Sequence, residues 1–518
     1  MRPFAPVPPA NQKGMQMDAA ARTPALLDTG IKGLDYVLNG GLTPNRLYVV
    51  EGIPGAGKTT LAMQFLRAGA ARGESVLYVT LSETEEELRA VAASHGWDLA
   101  GVQIREVIPS EGNLQADQSY TVFHPSEIEL SETTQAILAE VDKFKPSRIV
   151  FDSMSELRLL AGNPLRYRRQ VLALKQFFAG RRCTVLLLDD RTQTDHDLQV
   201  QSIAHGVIAL EQTYPEYGTE RRRVRIIKYR GVSFRGGYHD FVIRRGGLEV
   251  FERIVAGDSR KAPARRWLSS GVPELDSLLG GGVEGGSSTL VVGAAGTGKS
   301  TIAGKFASAA AQRGEVATMF LFDESPHILL NRMDGLGIDL RKQVESGRVI
   351  LQQIDPAEMS PGEFAHRIRA AAEEDKVSVL VIDSLNGYLN AMPEERFLTI
   401  HLHELLTYLG QRGVATIMVA VQHGLIGTAM QGPVDASYLA DSIIMMRYFE
   451  ASGEVRQALS VVKKRSGDHE RTIREFRLGG ANGLHIGEPL REFHGVLTGV
   501  PQFRGKTTEL LKTPREGS

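Results

Sequence analysis

"GAAGTGKST" runs from Gly293 to Thr301. It is Gly-x4-Gly-Lys-Ser/Thr, the spacing of a phosphate-binding loop. The same frame occurs earlier as "GIPGAGKTT", Gly52 to Thr60, so that Gly293 follows Gly52 by 241 residues. The repeat extends in both directions. "TGIKGLDYVLNGGL" (Thr29 to Leu42) returns at the same offset as "SGVPELDSLLGGGV" (Ser270 to Val283). Beyond each loop, Leu61, Phe65 and Ala68 match Ile302, Phe306 and Ala309, a spacing that predicts one helix face. Gly73 and Gly314 stand where a helix C-terminal glycine belongs. The apolar runs "SVLYVTL" and "VATMFLF" follow, and later "RIVFDS" (Arg148 to Ser153) and "VLVIDS" (Val379 to Ser384). Continuous apolar strands alternating with helices predict a parallel sheet covered on both faces. The chain therefore reads as two tandem copies of one α/β domain.

The boundaries expected are a disordered lead over residues 1–22, a first domain over 23–256, a linker over 257–268, a second domain over 269–500 and a flexible tail over 501–518. Lys plus Arg number 60 and Asp plus Glu 61, a net charge of −1, which argues against a strongly electrostatic nucleic-acid binder. The single cysteine, Cys183, excludes an internal disulfide and reads as a buried strand thiol. No segment has the length of apolar sequence a membrane span needs, and the Pro-rich start lacks a signal core. A soluble, cytoplasmic protein is expected.

Phosphates need several N–H donors at close range, and glycine lets the backbone approach without a Cβ in the way. Gly52, Gly55 and Gly57 serve this in the first copy, and Gly293, Gly296 and Gly298 in the second. Lys58 and Lys299 are expected on the β- and γ-phosphates of ATP. Thr59 and Ser300 are expected on Mg²⁺, with Thr60 and Thr301 completing each loop. Asp152 and Asp383 end apolar strands, where a carboxylate faces the ligand crevice and can hold Mg²⁺. The strand after each loop helix ends in acids, "TLSETEEE" and "LFDESP". Glu83 and Glu324 keep the 241-residue offset and are candidates to polarise a water, Asp323 standing beside the second. N-capping of the next helix is the competing reading for both.

With two phosphate loops, "GLD" before the first and "ELD" before the second, a strand ending in Glu-Ser/Thr, and "FERI" closing the first copy, the chain resembles the KaiC family of RecA-like ATPases over about Thr29 to Gly499. The resemblance implies two tandem RecA-like P-loop domains in a homo-oligomer, a hexamer in that family's manner, with ATP between neighbouring subunits. It also implies an ATPase in the first copy and an autokinase in the second. The family's Lys-x-Arg, acting on a neighbour's γ-phosphate, falls on Lys228 and Arg230 in the first copy and on Lys463 and Arg465 in the second. Where the family has paired glutamates, this chain has Ser82-Glu83 and Asp323-Glu324. Where its clock members carry adjacent Ser-Thr phosphoacceptors, "VDASYLADSII" gives Ser437, with Tyr438 the less favoured acceptor. The resemblance thus implies a signalling ATPase with possible protein partners. A RecA- or helicase-type DNA motor and a nucleotide-gated scaffold are the alternatives.

Overall fold

The computed structural model describes residues 25–107, 125–190, 198–255, 264–390, 398–422, 438–451, 453–479, 483–496 and 502–503. The chain divides into two compact units. One comprises residues 1–51, 58–207 and 227–235, the other 52–57, 208–226 and 236–518.

Two nine-stranded sheets carry the fold. The first is built from β1 (Leu47–Gly52), β2 (Val76–Thr80), β3 (Val102–Glu106), β4 (Arg148–Asp152), β5 (Thr184–Asp190), β6 (Gly206–Thr213), β7 (Arg221–Tyr229), β8 (His239–Arg244) and β9 (Gly247–Phe251), in the order β3-β2-β4-β5-β1-β6-β7-β8-β9. A short antiparallel pair follows, β10 (Trp267–Leu268) with β11 (Val283–Glu284). The second sheet holds β12 (Ser288–Gly293), β13 (Ala317–Leu321), β14 (Val349–Gln353), β15 (Val379–Asp383), β16 (Ala415–Val421), β17 (Ser442–Ala451), β18 (Glu454–Lys464), β19 (Arg474–Leu478) and β20 (Leu484–Pro489). Its order, β14-β13-β15-β16-β12-β17-β18-β19-β20, repeats the first strand for strand. β12 to β17 pair in parallel, and β17 to β20 continue antiparallel. The expected architecture, two α/β domains each on a mainly parallel sheet flanked by helices, is the one found.

Burial explains the apolar runs. On β13 and β15, Met319 and Val381 enter one core cluster while their neighbours Phe320 and Ile382 enter another. Successive side chains of a strand point to opposite faces, so a strand covered on both faces must be apolar throughout. In the first copy Leu77, Val79, Phe151 and Leu187 join one buried cluster. The helices after the loops, Lys58–Ala70 and Lys299–Gln312, bury more than the single face expected: Ala62, Met63 and Leu66 are as covered as Leu61 and Phe65. Gly73 and Gly314 follow them in the left-handed region at φ +75° and +88°.

Register sets the site. Thr80 pairs with Asp152 and Leu321 with Asp383, so the carboxyl ends of the acid-bearing strands finish level. Cys183 lies buried just before β5 rather than in it, and burial pushes its thiol up to about 12. The Arg221 to Arg225 stretch is half-buried in β7, with Val224 in the core and Arg222 on Glu220 at 2.8 Å. No helix among the described residues is long and apolar enough to cross a membrane.

Candidate functional site

Both loops need their glycines. Gly55 and Gly57 have φ of +80° and +97°, and Gly296 and Gly298 have +78° and +93°, the region that strains any residue with a Cβ. A Cβ on Gly293 would stand 2.4 Å from Met446 O, and one on Gly52 2.7 Å from Leu210 O. Lys58 and Lys299 open their helices with buried side chains. Thr60 and Thr301 are buried behind them.

In the first copy, the Thr59 hydroxyl donates to Asp152 Oδ2 at 3.1 Å, and the Tyr78 hydroxyl donates to the same oxygen at 2.5 Å. Burial raises the Asp152 carboxyl, against the bonds from Tyr78 and Thr59 and the charge of Lys58, which lower it. Glu83 is fixed by its own strand end: its N–H donates to Thr80 Oγ1 at 2.9 Å, and that hydroxyl donates to Glu83 O at 2.7 Å. Its Oε2 is buried with no hydrogen-bond partner among the described residues. Burial raises the Glu83 carboxyl, and the charges of Asp152, Glu87 and Asp190 raise it further. Glu83 does not cap the Glu85–Ser94 helix. Thr84 does, in a capping box with Glu87. Lys58 Nζ meets Asp190 Oδ1 at 2.6 Å.

The second copy keeps the hydroxyl–carboxylate bond and the cap but differs in the partners of its lysine and its acid. Lys299 Nζ donates to Ala294 O at 2.7 Å, and burial lowers its ammonium to about 8 against the attraction of Asp383 and Asp323. Asp383 is bonded by Ser300 and raised to about 6, first by burial. Its Oδ2 is buried and has no hydrogen-bond partner among the described residues. Asp323 is exposed at the end of β13. Glu324 Oε1 accepts from Arg332 at 2.6 Å, while Ser325 caps the Pro326–Gly335 helix. In both copies the residue after the acid is the cap, which removes the N-capping reading of Glu83 and Glu324.

The late cations engage their own chain. Lys228 donates to Gln201 O and Ser202 O at 2.7 and 3.1 Å, and Arg230 to Ser202 O at 2.8 Å. These carbonyls belong to the last turn of the Leu198–Ile203 helix, where cations are favoured. Lys463 lies opposite Ile443 in the β17–β18 ladder. Arg465 donates to Tyr438 O at 2.8 Å and meets Asp441 at 3.3 Å. Tyr438 is exposed. Ser437 lies outside the described residues.

A small hard cation prefers oxygen ligands and keeps several waters and phosphate oxygens. Thr59 with Asp152, and Ser300 with Asp383, offer such a hydroxyl–carboxylate pair, and the unpartnered Asp383 Oδ2 is an acceptor left for it. Among the described residues no group of three or more His, Cys, Asp or Glu side chains stands ready to hold a metal alone. A metal here would depend on the nucleotide. Sequence reasoning missed Tyr78, Asp190 and Arg332. "TVLLLDD" closes on acids as "RIVFD" does, so Asp190 had a signal. Tyr78 and Arg332 had none, since each is legible only through its partner.

A family model described as "ATPase: KaiC" matches residues 27–254 and again 268–491. The chain is similar to the circadian clock protein KaiC3 of Synechocystis sp. (strain ATCC 27184 / PCC 6803 / Kazusa), 27% identical over 488 residues, covering 93% of this chain and 95% of that protein. It is similar also to the circadian clock oscillator protein KaiC of Parathermosynechococcus lividus, 27% identical over 478 residues, covering 91% and 87%.

Proposed function

The chain belongs to the KaiC ATPase family, and from that premise we propose that it binds ATP with Mg²⁺ at both loops, hydrolyses it in the first copy, and acts as a signalling or timing switch. The observation that carries this reading is the Thr59–Asp152 contact at 3.1 Å. It joins the loop's hydroxyl to the strand-end carboxylate, the two protein groups a nucleotide-bound Mg²⁺ needs. Lys58 and Lys299 neutralise the β- and γ-phosphates, and the glycine loops offer their N–H groups. Thr59 with Asp152, and Ser300 with Asp383, would hold Mg²⁺, which when bound neutralises charge on the phosphates. Glu83, with one buried oxygen unpartnered among the described residues and a raised carboxyl, accepts the proton of the attacking water. Lys228 and Arg230, and Lys463 and Arg465, complete a neighbour's site in a homo-oligomer, a hexamer. In that assembly Lys228, Arg230 and Arg465 exchange their present carbonyl partners for phosphate oxygens. The domains are those read from the sequence, residues 23–256 and 269–500, and the protein works in the cytoplasm.

The test is nucleotide stoichiometry. Wild type should bind two nucleotides per chain, Lys58→Ala or Lys299→Ala one, and the double variant none. Unchanged stoichiometry in the double variant would sink the reading.

For the second copy we propose autophosphorylation on Ser437, Asp323 or Glu324 taking the hydroxyl proton. Phosphopeptide mapping over residues 430–445 after ATP treatment, with Ser437→Ala as control, tests it. A second reading has its own support. Glu324 is tied to Arg332, which favours a second copy that binds ATP as a switch and turns it over little. Absence of phosphate on those peptides, with ATP still bound, selects that reading.

A further inference from the structure

We infer that Asp190 competes with nucleotide phosphate for Lys58, a carboxylate latch that makes the first loop the weaker of the two nucleotide sites. The inference rests on the reading of both loops as nucleotide sites.

Lys58 Nζ stands 2.6 Å from Asp190 Oδ1, with 8% and 23% of the two side chains accessible. The β- and γ-phosphates require that same ammonium. Asp190 ends β5 and is held in place: its N–H donates to Ser155 Oγ at 3.2 Å, and the Ser155 hydroxyl donates back to Oδ2 at 3.3 Å. The matching strand end in the second copy is Val421 of β16. It is secured from the same position, three residues after the strand-end aspartate, where Asn386 takes the place of Ser155. Val421 N–H donates to Asn386 Oδ1 at 2.7 Å, and Asn386 Nδ2 donates to Val421 O at 3.0 Å. The scaffold is preserved and the charge is not. Among the described residues, Lys299 Nζ donates to the neutral carbonyl of Ala294 at 2.7 Å.

Two consequences follow. Lys58 faces a full opposite charge at 2.6 Å, whereas Lys299 faces only the dipole of a carbonyl at 2.7 Å, so Lys58 leaves Asp190 less readily than Lys299 leaves Ala294. Once Lys58 has turned to the phosphates, Asp190 remains an anion beside a polyanion, where like charges repel. Both effects weaken nucleotide at the first loop. Neither arises from the matching position of the second loop, where Val421 carries no charge.

The experiment uses the full chain and a fluorescent ATP analogue with Mg²⁺. In the Lys299→Ala background, which isolates the first loop, Asp190→Asn should tighten binding about tenfold, the order of one charge-assisted hydrogen bond released. In the Lys58→Ala background, Val421→Asp should weaken the second loop by a similar factor. Unchanged or weaker binding by Asp190→Asn, with thermal unfolding unaltered, overturns the latch. If Asp190→Asn lowers the unfolding temperature, Asp190→Val and the Val421→Asp arm decide, and no change in the latter overturns it. Failure of the underlying reading looks different: the Lys299→Ala chain then binds no analogue whatever stands at position 190, and both proposals fall.

Discussion

Tyr78 donates its hydroxyl to Asp152 Oδ2 at 2.5 Å, a bond its counterpart Met319 cannot make to Asp383. The consequence is visible in the two carboxylates. Asp152 Oδ2 accepts from Tyr78 and Thr59, whereas Asp383 Oδ2 is buried without a hydrogen-bond partner among the described residues and that carboxyl is raised to about 6. Two copies with one strand order have therefore separated in the groups that surround the proposed Mg²⁺.

Removing that hydroxyl should make the first copy resemble the second. Tyr78→Phe keeps the ring in a buried site and withdraws one donor from Asp152. Groups that orient a metal's ligands typically contribute 10–100-fold to affinity, and Asp152 keeps Thr59, so we expect about a tenfold rise in the Mg²⁺ concentration needed for nucleotide binding. A Mg²⁺ titration in the Lys299→Ala background measures it, and an unmoved midpoint refutes the role.

Arg332 should restrain the second copy. Its guanidinium holds Glu324 at 2.6 Å, but the Arg332 side chain is 40% accessible, so solvent screens the pair and its contribution is modest. The matching position in the first copy is Val91. In the Lys58→Ala background, Arg332→Val should raise phosphate release about three- to fivefold, the range of a screened ion pair below 1 kcal/mol. If release is unchanged, Glu324 is not what limits the second copy.

Much of this was legible in the sequence, for identifiable reasons. The loops, strand-end aspartates and loop helices were readable because each is set by local backbone demands: glycines at positive φ, a lysine opening a helix, an apolar run ending in acid. Strand order is not legible locally, since it follows from pairing between distant segments. The RIVFD strand was read as apolar, yet its first residue, Arg148, is fully buried between Glu74 and Asp28. One residue gives no sign of which distant carboxylates will reach it. For the same reason the Lys58–Asp190 pair could not be foreseen from either residue alone.

Arg148 supports the first copy from the end of β4 opposite Asp152. It donates to Glu74 at 2.6 and 2.9 Å and to the carbonyls of Asp28 and Phe65 at 2.9 and 3.0 Å. Removing one partner of a buried pair typically costs 3–5 kcal/mol. Glu74 and Asp28 are 27% and 30% accessible and can rehydrate, so Arg148→Ala should lose about 3 kcal/mol, the low end of that range. Hydrogen exchange at the amides of β2 and β4 reads it, and protection equal to wild type would show the pair to be dispensable.

The pH response of ATP turnover should carry the signature of Glu83. Burial is the largest cause raising its carboxyl, with Asp152, Glu87 and Asp190 adding to it. The proton-accepting form is the carboxylate, so turnover at the first loop should fall as pH drops through a value above the ordinary glutamate range near 4.5. Folding stability moves the other way. The folded state holds this proton more tightly than the unfolded chain, so the group's contribution is fully present below the unfolded value and is lost as pH rises through the folded one. Turnover and stability are thus opposed across one window, which separates a titrating base from acid unfolding. In the Lys299→Ala background, Glu83→Gln should lower phosphate release by about 10²–10⁴, the usual contribution of a general base, and should erase the acid limb in what activity remains. It should also leave nucleotide stoichiometry at the first loop intact. Asp190→Asn, which removes one of the charges that raise Glu83, should shift the limb to lower pH. An acid limb that persists in Glu83→Gln would assign the titration to another group and remove Glu83 from the role of base.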